Sequence, residues 1–237
     1  MAMTTRRRFL SLLGAAPAAA LVPGVAHAGG AKVLMIGSSM MAGGFGLYLG
    51  QQLEAAHGCV VERRTKVSSG LARPDFHDWI ANGAAAREEV QPDIVVCMFG
   101  GNDGQGLWMG PDQEPPWYRY GEPGWVPEYR RRVNQFADAV APERERLFWI
   151  GMLQVRGDKL HERVAVMNTI YESEMAIRPN ARYISTWDEL TVNGKYSDKI
   201  MVDGSRMRVR AGDGVHVSPT GAHVLADFIQ PFIAEEV

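Results

Sequence analysis

The residues able to do chemistry fall in four short blocks: Gly37-Ser38-Ser39-Met40, Ser68-Ser69-Gly70-Leu71, Gly100-Gly101-Asn102-Asp103 and Asp213-Gly214-Val215-His216. Together they contain the groups that nucleophilic acyl transfer requires. A serine hydroxyl attacks poorly until a base takes its proton, and His216 is of the right type to take it from Ser39. Asp213, three residues earlier, can accept the other ring N–H, fix the tautomer and stabilise the imidazolium that forms. A tetrahedral oxyanion needs preorganised donors. The Ser39 backbone N–H, the Gly70 backbone N–H and the Asn102 side-chain amide are the candidates. At Gly70 the missing Cβ lets backbone approach a substrate closely.

Taken singly, each block has a plainer reading. Serines cap helices, Ser-Gly and Asp-Gly mark turns, and Asn and Asp bond local backbone. His216 could be a capping or core histidine, and His223 is its rival as the base, although its place in a helical run favours packing. The specificity lies in order and placement: each block follows a predicted strand or precedes the last helix.

Five β-like runs, 32–36, 60–67, 94–99, 147–152 and 182–186, alternate with helical segments at 47–57, 75–89, 127–140, 159–177 and 219–233. The third and fourth runs are nearly all apolar, as parallel strands covered on both faces tend to be. The alternation predicts an α/β fold, a three-layer α/β/α sandwich on a mostly parallel five-stranded sheet, with functional loops at the carboxyl ends of the strands. Two long connections, 104–126 and 187–212, interrupt it. The first is rich in Trp and Tyr, and loops of this length in a compact domain are usually functional or mobile. It follows the Asn102 block directly and is expected to overhang the site, with Trp108 and Trp117 stacking on sugar rings or packing as a hydrophobic cap. Arg73 is a candidate for a substrate carboxylate or phosphate, or for a surface pair with Asp75.

Residues 1–28 read as an export signal of the twin-arginine type. Arg6-Arg7-Arg8 precedes an Ala-rich apolar run, and Ala26-His27-Ala28 has the small-x-small form of a peptidase site. That run is short and holds Pro17 and Pro23, so no membrane span is expected in the mature chain. Removing this segment takes three arginines from the 25 basic residues and none of the 27 acidic ones, leaving a net charge of about −5. Such a balance gives no reason to expect nucleic acid as a partner. Cys59 and Cys97 sit in or beside apolar runs and read as small buried hydrophobes.

These residues resemble the SGNH (GDSL-type) hydrolase superfamily. Its Ser, Gly, Asn and His, one per block and in that order, match Ser39, Gly70, Asn102 and His216, and its Asp matches Asp213. Within it, Gly70-Leu71-Ala72-Arg73-Pro74-Asp75-Phe76 and Gly100-Gly101-Asn102-Asp103 look most like an exported bacterial branch known only as a domain of unknown function. The resemblance spans most of residues 29–237, expected to be one domain. It implies a flavodoxin-like fold, ester chemistry through an acyl-enzyme, and no metal or organic cofactor. One departure matters: the superfamily's first block reads Gly-Asp-Ser, and here Ser38 stands in the Asp position.

The expectation is therefore an exported, periplasmic or secreted serine esterase. Its substrate would be a small acyl ester or an acylated glycan, with O-acetyl groups on a polysaccharide foremost. An acyltransferase would use the same residues, with a sugar hydroxyl replacing water. The altered first block also admits a glycan-binding protein without chemistry.

Overall fold

Residues 33–36, 94–98 and 147–150 are apolar almost throughout, and in the computed structural model, which describes residues 30–237, they form the fully buried inner strands of a sheet. The strands are β1 (Lys32–Gly37), β2 (Val60–Thr65), β3 (Ile94–Met98), β4 (Arg146–Ile150) and β5 (Ala181–Ile184). Their order is β2-β1-β3-β4-β5, and every pairing is parallel. That is the flavodoxin-like order. The edge strands β2 and β5 alternate or stay half-buried, as strands with one unpaired side should.

The helices are α1 (Ser39–Ala42), α2 (Gly44–His57), α3 (Trp79–Val90), α4 (Trp125–Val140), α5 (Asp158–Ala176) and α6 (Pro219–Ala234). α2 packs on α6, while α4 packs on both α3 and α5, which gives a helical layer on either side of the sheet. Phe99, Phe136, Trp149 and Tyr171 form the aromatic centre of the second layer, with ring centroids 4.7–5.9 Å apart. None of the helices among the described residues is long and apolar enough to cross a membrane. The expected export segment lies outside the described residues.

Several boundaries differ from expectation for local reasons. α3 starts at Trp79, four residues later than the sequence suggests, because the Asp78 carboxylate caps it by accepting from Ile80 N and Ala81 N. The residues before it form a turn in which Arg73 O accepts from Phe76 N and His77 N. α4 starts two residues early, and its first residue, Trp125, is fully buried and stacks on Tyr129. The end of the 104–126 connection is thus core, and its middle is a short ribbon pairing Leu107–Trp108 with Tyr118–Trp117.

The 187–212 connection, which has no helical period, folds into two small antiparallel ribbons, 191–196 and 199–208. Their turns are Asn193-Gly194 and Asp203-Gly204, with positive φ at all four residues. Those dipeptides favour the two-residue hairpin turn whose twist matches its strands. Cys59 and Cys97 are buried free thiols, as read.

Candidate active site

The chain steps from β1 to β2 and then back across to β3, so the crevice between the carboxyl ends of β1 and β3 is the switch point of the sheet. The first block leaves β1 there and the third follows β3. Ser39 opens α1, its side chain half-buried. His216 reaches it from the loop before α6: His216 Nε2 lies 2.6 Å from Ser39 Oγ, and His216 Nδ1 lies 2.6 Å from Asp213 Oδ2. Three residues separated by as many as 177 positions form one hydrogen-bonded line.

The loop holding His216 is tightly braced. Asp213 Oδ1 accepts from the backbone N–H groups of Val215 and His216 at 2.8 and 3.0 Å. Burial alone would raise the Asp213 carboxyl, but the His216 ring and those two amides outweigh it and hold it down at about 2. Arg210, fully buried, donates to Gln154 O and Val215 O from below. Gly214 adopts φ +76°, and a Cβ there would come within 2.6 Å of Arg156 Cβ. Arg156 in turn donates to Gly212 O and Asp198.

The other side of the crevice carries Gly70 and Asn102. Asn102 Nδ2 donates to Ser69 O at 3.0 Å, so the amide is anchored by one hydrogen and keeps the other. Ser69 O belongs to the same peptide unit whose N–H is that of Gly70. The Gly70 and Ser39 N–H groups have no acceptor among the described residues. Ser69 Oγ bonds Lys66 O and receives the Trp79 indole N–H, which fixes this turn against α3.

Asp103, read as a turn former, has a larger part. It is fully buried, and its carboxylate accepts from Ala72 N at 2.8 Å and Gly100 N at 3.1 Å, tying the second block to the third. Burial pushes this carboxyl up to about 6, against those amides and the Tyr129 hydroxyl. Tyr129 Oη lies 2.6 Å from Tyr171 Oη beneath it. Arg132 is also buried. It donates to Leu71 O, Ala72 O and Trp108 O and pairs with Glu128, joining the second block to the aromatic connection. The spacing of Glu128, Arg131 and Arg132 at three and four residues was the sequence signal for this cluster.

Not every expected site residue joins. Arg73 makes a bidentate pair with Asp75 at 2.8 and 2.6 Å and lies over the Trp117 ring, so Asp75 already takes one edge of its guanidinium. Trp117 packs on Trp108 with centroids 4.7 Å apart. Trp108 does line a cleft beside Gly70, together with Leu71, Trp79, Arg131 and Gln135. Neither Arg73 nor Trp117 lines it. Ser38, in the place of the superfamily's Asp, is buried and its side chain makes no cap hydrogen bond to α1. His223 stacks on Tyr48 at 3.6 Å and is helix packing.

Residues 32–231 match the family described as protein of unknown function (DUF459). The chain belongs to that family. Among solved structures, this DUF459 chain is similar to a candidate SGNH hydrolase from Slackia heliotrinireducens at 18% identity, over 87% of this chain and 98% of that one, with a TM-score of 0.55. It is similar to a catalytic mutant of an acetylxylan esterase from Geobacillus stearothermophilus at 17% identity, over 85% and 93%, with a TM-score of 0.53. It is also similar to the periplasmic domain of a lipopolysaccharide acetyltransferase from Salmonella ser. Paratyphi A at 14% identity, over 86% and 84%, with a TM-score of 0.55. These likenesses show an SGNH-hydrolase-like fold. Comparison with curated proteins gave no match.

Proposed function

We propose that this DUF459 chain is an exported serine esterase that removes small acyl groups, O-acetyl foremost, from a polysaccharide. The observation that carries the reading is the line Asp213–His216–Ser39, with both hydrogen bonds at 2.6 Å. In this reading Ser39 Oγ attacks the ester carbonyl and His216 Nε2 takes its proton. The Ser39 and Gly70 N–H groups and the Asn102 amide hold the oxyanion. His216 then returns the proton to the leaving sugar oxygen. Water, activated by the same imidazole, releases the acyl group.

Two features favour a polymer substrate and hydrolysis. His216 and Asp213 are 39% and 50% exposed, so a bulky glycan can reach the serine without a lid moving. The same openness leaves the acyl-enzyme in contact with water. The cleft that Trp108 lines reaches Gly70, though not Ser39 or His216, and an indole there is of the type that packs on a sugar ring. Structural likeness to an acetyltransferase periplasmic domain and to an acetylxylan esterase supports both acyl chemistry and an envelope location.

Transfer to an acceptor glycan is the second reading, favoured by that same acetyltransferase likeness. Incubation with acetylated xylan, with and without an unacetylated acceptor oligosaccharide, separates the two. Free acetate in both cases supports hydrolysis. Acetyl appearing on the acceptor supports transfer, and neither product from either mixture defeats both.

A further inference from the structure

The 199–208 ribbon has two unlike faces. Opposed residues of an antiparallel pair share a face, and alternate residues of a strand do too. The register pairs Lys199 with Arg208, Ile200 with Met207, Met201 with Arg206 and Val202 with Ser205. Lys199, Met201, Arg206 and Arg208 therefore lie on one side, and Ile200, Val202, Ser205 and Met207 on the other. Ile200 and Val202 pack against the hydrophobic core, so the first side faces outward. All four of its residues are exposed, Met201 by 64%.

Among the described residues none of the three cations of that face lies within ion-pair distance of a carboxylate, although Arg208, behind Arg156, helps to hold the Asp198 carboxyl below its ordinary value. The carboxylates beside them are Asp198, held by Arg156 at 2.7 Å, and Asp203 in the turn. A basic face on a chain of net charge −2 runs against the overall balance. It is also braced on the segment carrying His216. Val209 N donates to Asp198 O at the base of the ribbon, Ser218 Oγ donates to Arg208 O, and Ala211 N donates to His216 O.

We infer that the outward face of the 199–208 ribbon, which is bonded to the segment carrying His216, binds an acidic polysaccharide. Lys199, Arg206 and Arg208 meet its carboxylates, and Met201 lies against the apolar faces of its rings. Charge complementarity calls for an acidic polymer, and that it is a polysaccharide rests on the reading above. One methionine is too little apolar area to seat the ribbon in a lipid surface. The binding stands independently of catalysis; that the bound polymer also carries the ester rests on the esterase reading above.

The test uses unacetylated polygalacturonate, so no ester chemistry enters the readout. Affinity for the purified protein is measured by titration calorimetry at low and physiological salt, beside neutral dextran and phosphatidylglycerol vesicles. The triple variant Lys199→Gln/Arg206→Gln/Arg208→Gln is compared with Arg144→Gln, a cation preceding β4, and thermal melts confirm that each is folded. The inference expects salt-sensitive binding to polygalacturonate and none to dextran, weakened about tenfold or more by the triple variant and unchanged by Arg144→Gln. It is overturned by absent binding, by equal binding in the triple variant, or by binding to the vesicles in preference to the polyuronate. Should the triple variant melt early, Met201→Glu on the same face must weaken binding instead. Turnover of p-nitrophenyl acetate, followed separately, reports on the esterase reading alone.

Discussion

Gly70 lies directly against Asp103: a Cβ built on the glycine would stand 2.3 Å from Asp103 Oδ1 and 2.4 Å from Oδ2. The proposed oxyanion glycine is thus glycine because a buried carboxylate organises the loop behind it. Gly70→Ala should push the two apart, destabilise the fold by about 1–3 kcal/mol as overpacking does, and lower turnover by misplacing the 70 N–H. Urea midpoints and steady-state rates on the same preparation check this. An alanine variant as stable and active as wild type would mean the two loops are not held as described.

Asp103→Asn addresses the same contact by charge. The asparagine keeps the shape but turns an NH2 group toward one of the two backbone donors, so one pairing is lost. The pH dependence has a definite sign. The folded-state carboxyl sits at about 6, above the roughly 3.9 of an unfolded aspartate, so the folded protein holds this proton more tightly. That stabilisation is complete below about pH 4 and lost as pH rises through 6. The stability of wild type relative to Asp103→Asn should therefore fall between pH 4 and 6 and level off above 7. A difference that rises over that interval would contradict the assignment.

Asp213→Asn should leave the fold intact and lower kcat by about 10³–10⁴, because the amide cannot hold the imidazole in the tautomer that accepts the Ser39 proton. Asp213 itself has the opposite sign from Asp103. Its carboxyl is held at about 2, so what it contributes is present above the roughly 3.9 of an unfolded aspartate and is lost as pH falls from there through 2. Activity should therefore show no acid limb from Asp213 in the usual carboxylate range. A wild-type limb that follows a carboxylate near pH 4 would count against this line of contacts.

Asn102→Ala removes the one side-chain donor proposed for the oxyanion. A loss of about 10²–10³ in kcat with KM little changed is the mark of a group acting on the transition state. A change confined to KM would make Asn102 a binding residue.

Arg73→Gln should hardly matter for small esters. The pair with Asp75 is about one-third exposed on both sides, and such surface pairs contribute about 0–1 kcal/mol. A tenfold or larger loss on p-nitrophenyl acetate would restore Arg73 to the site.

The fold and the Ser–His–Asp line were legible because periodicity and block order carry them. Inner parallel strands must be apolar on both faces, and the blocks fall where those strands end. The braces were less legible. Asp103 looks like any turn aspartate until its burial is known, and Arg132 and Arg210 look like surface arginines although each fastens carbonyls of a loop that carries a site residue. Pro127 suits the first turn of a helix and so leaves Trp125 in the connection on sequence grounds, yet tertiary packing draws it into α4. The ribbons at 191–196 and 199–208 did have a local signal, the Asn-Gly and Asp-Gly turns, masked by strands too short and too charged to show alternation.

The central claim is that Ser39 attacks an ester with His216 as its base. Reaction of the purified protein with p-nitrophenyl acetate, beside Ser39→Ala and His216→Ala, tests it most directly when product release and intact protein mass are followed together. The geometry predicts turnover by wild type, an acetyl adduct on Ser39 when reaction is quenched early, and loss of both in each variant. Turnover that survives Ser39→Ala, or a wild type showing neither turnover nor adduct, would contradict it.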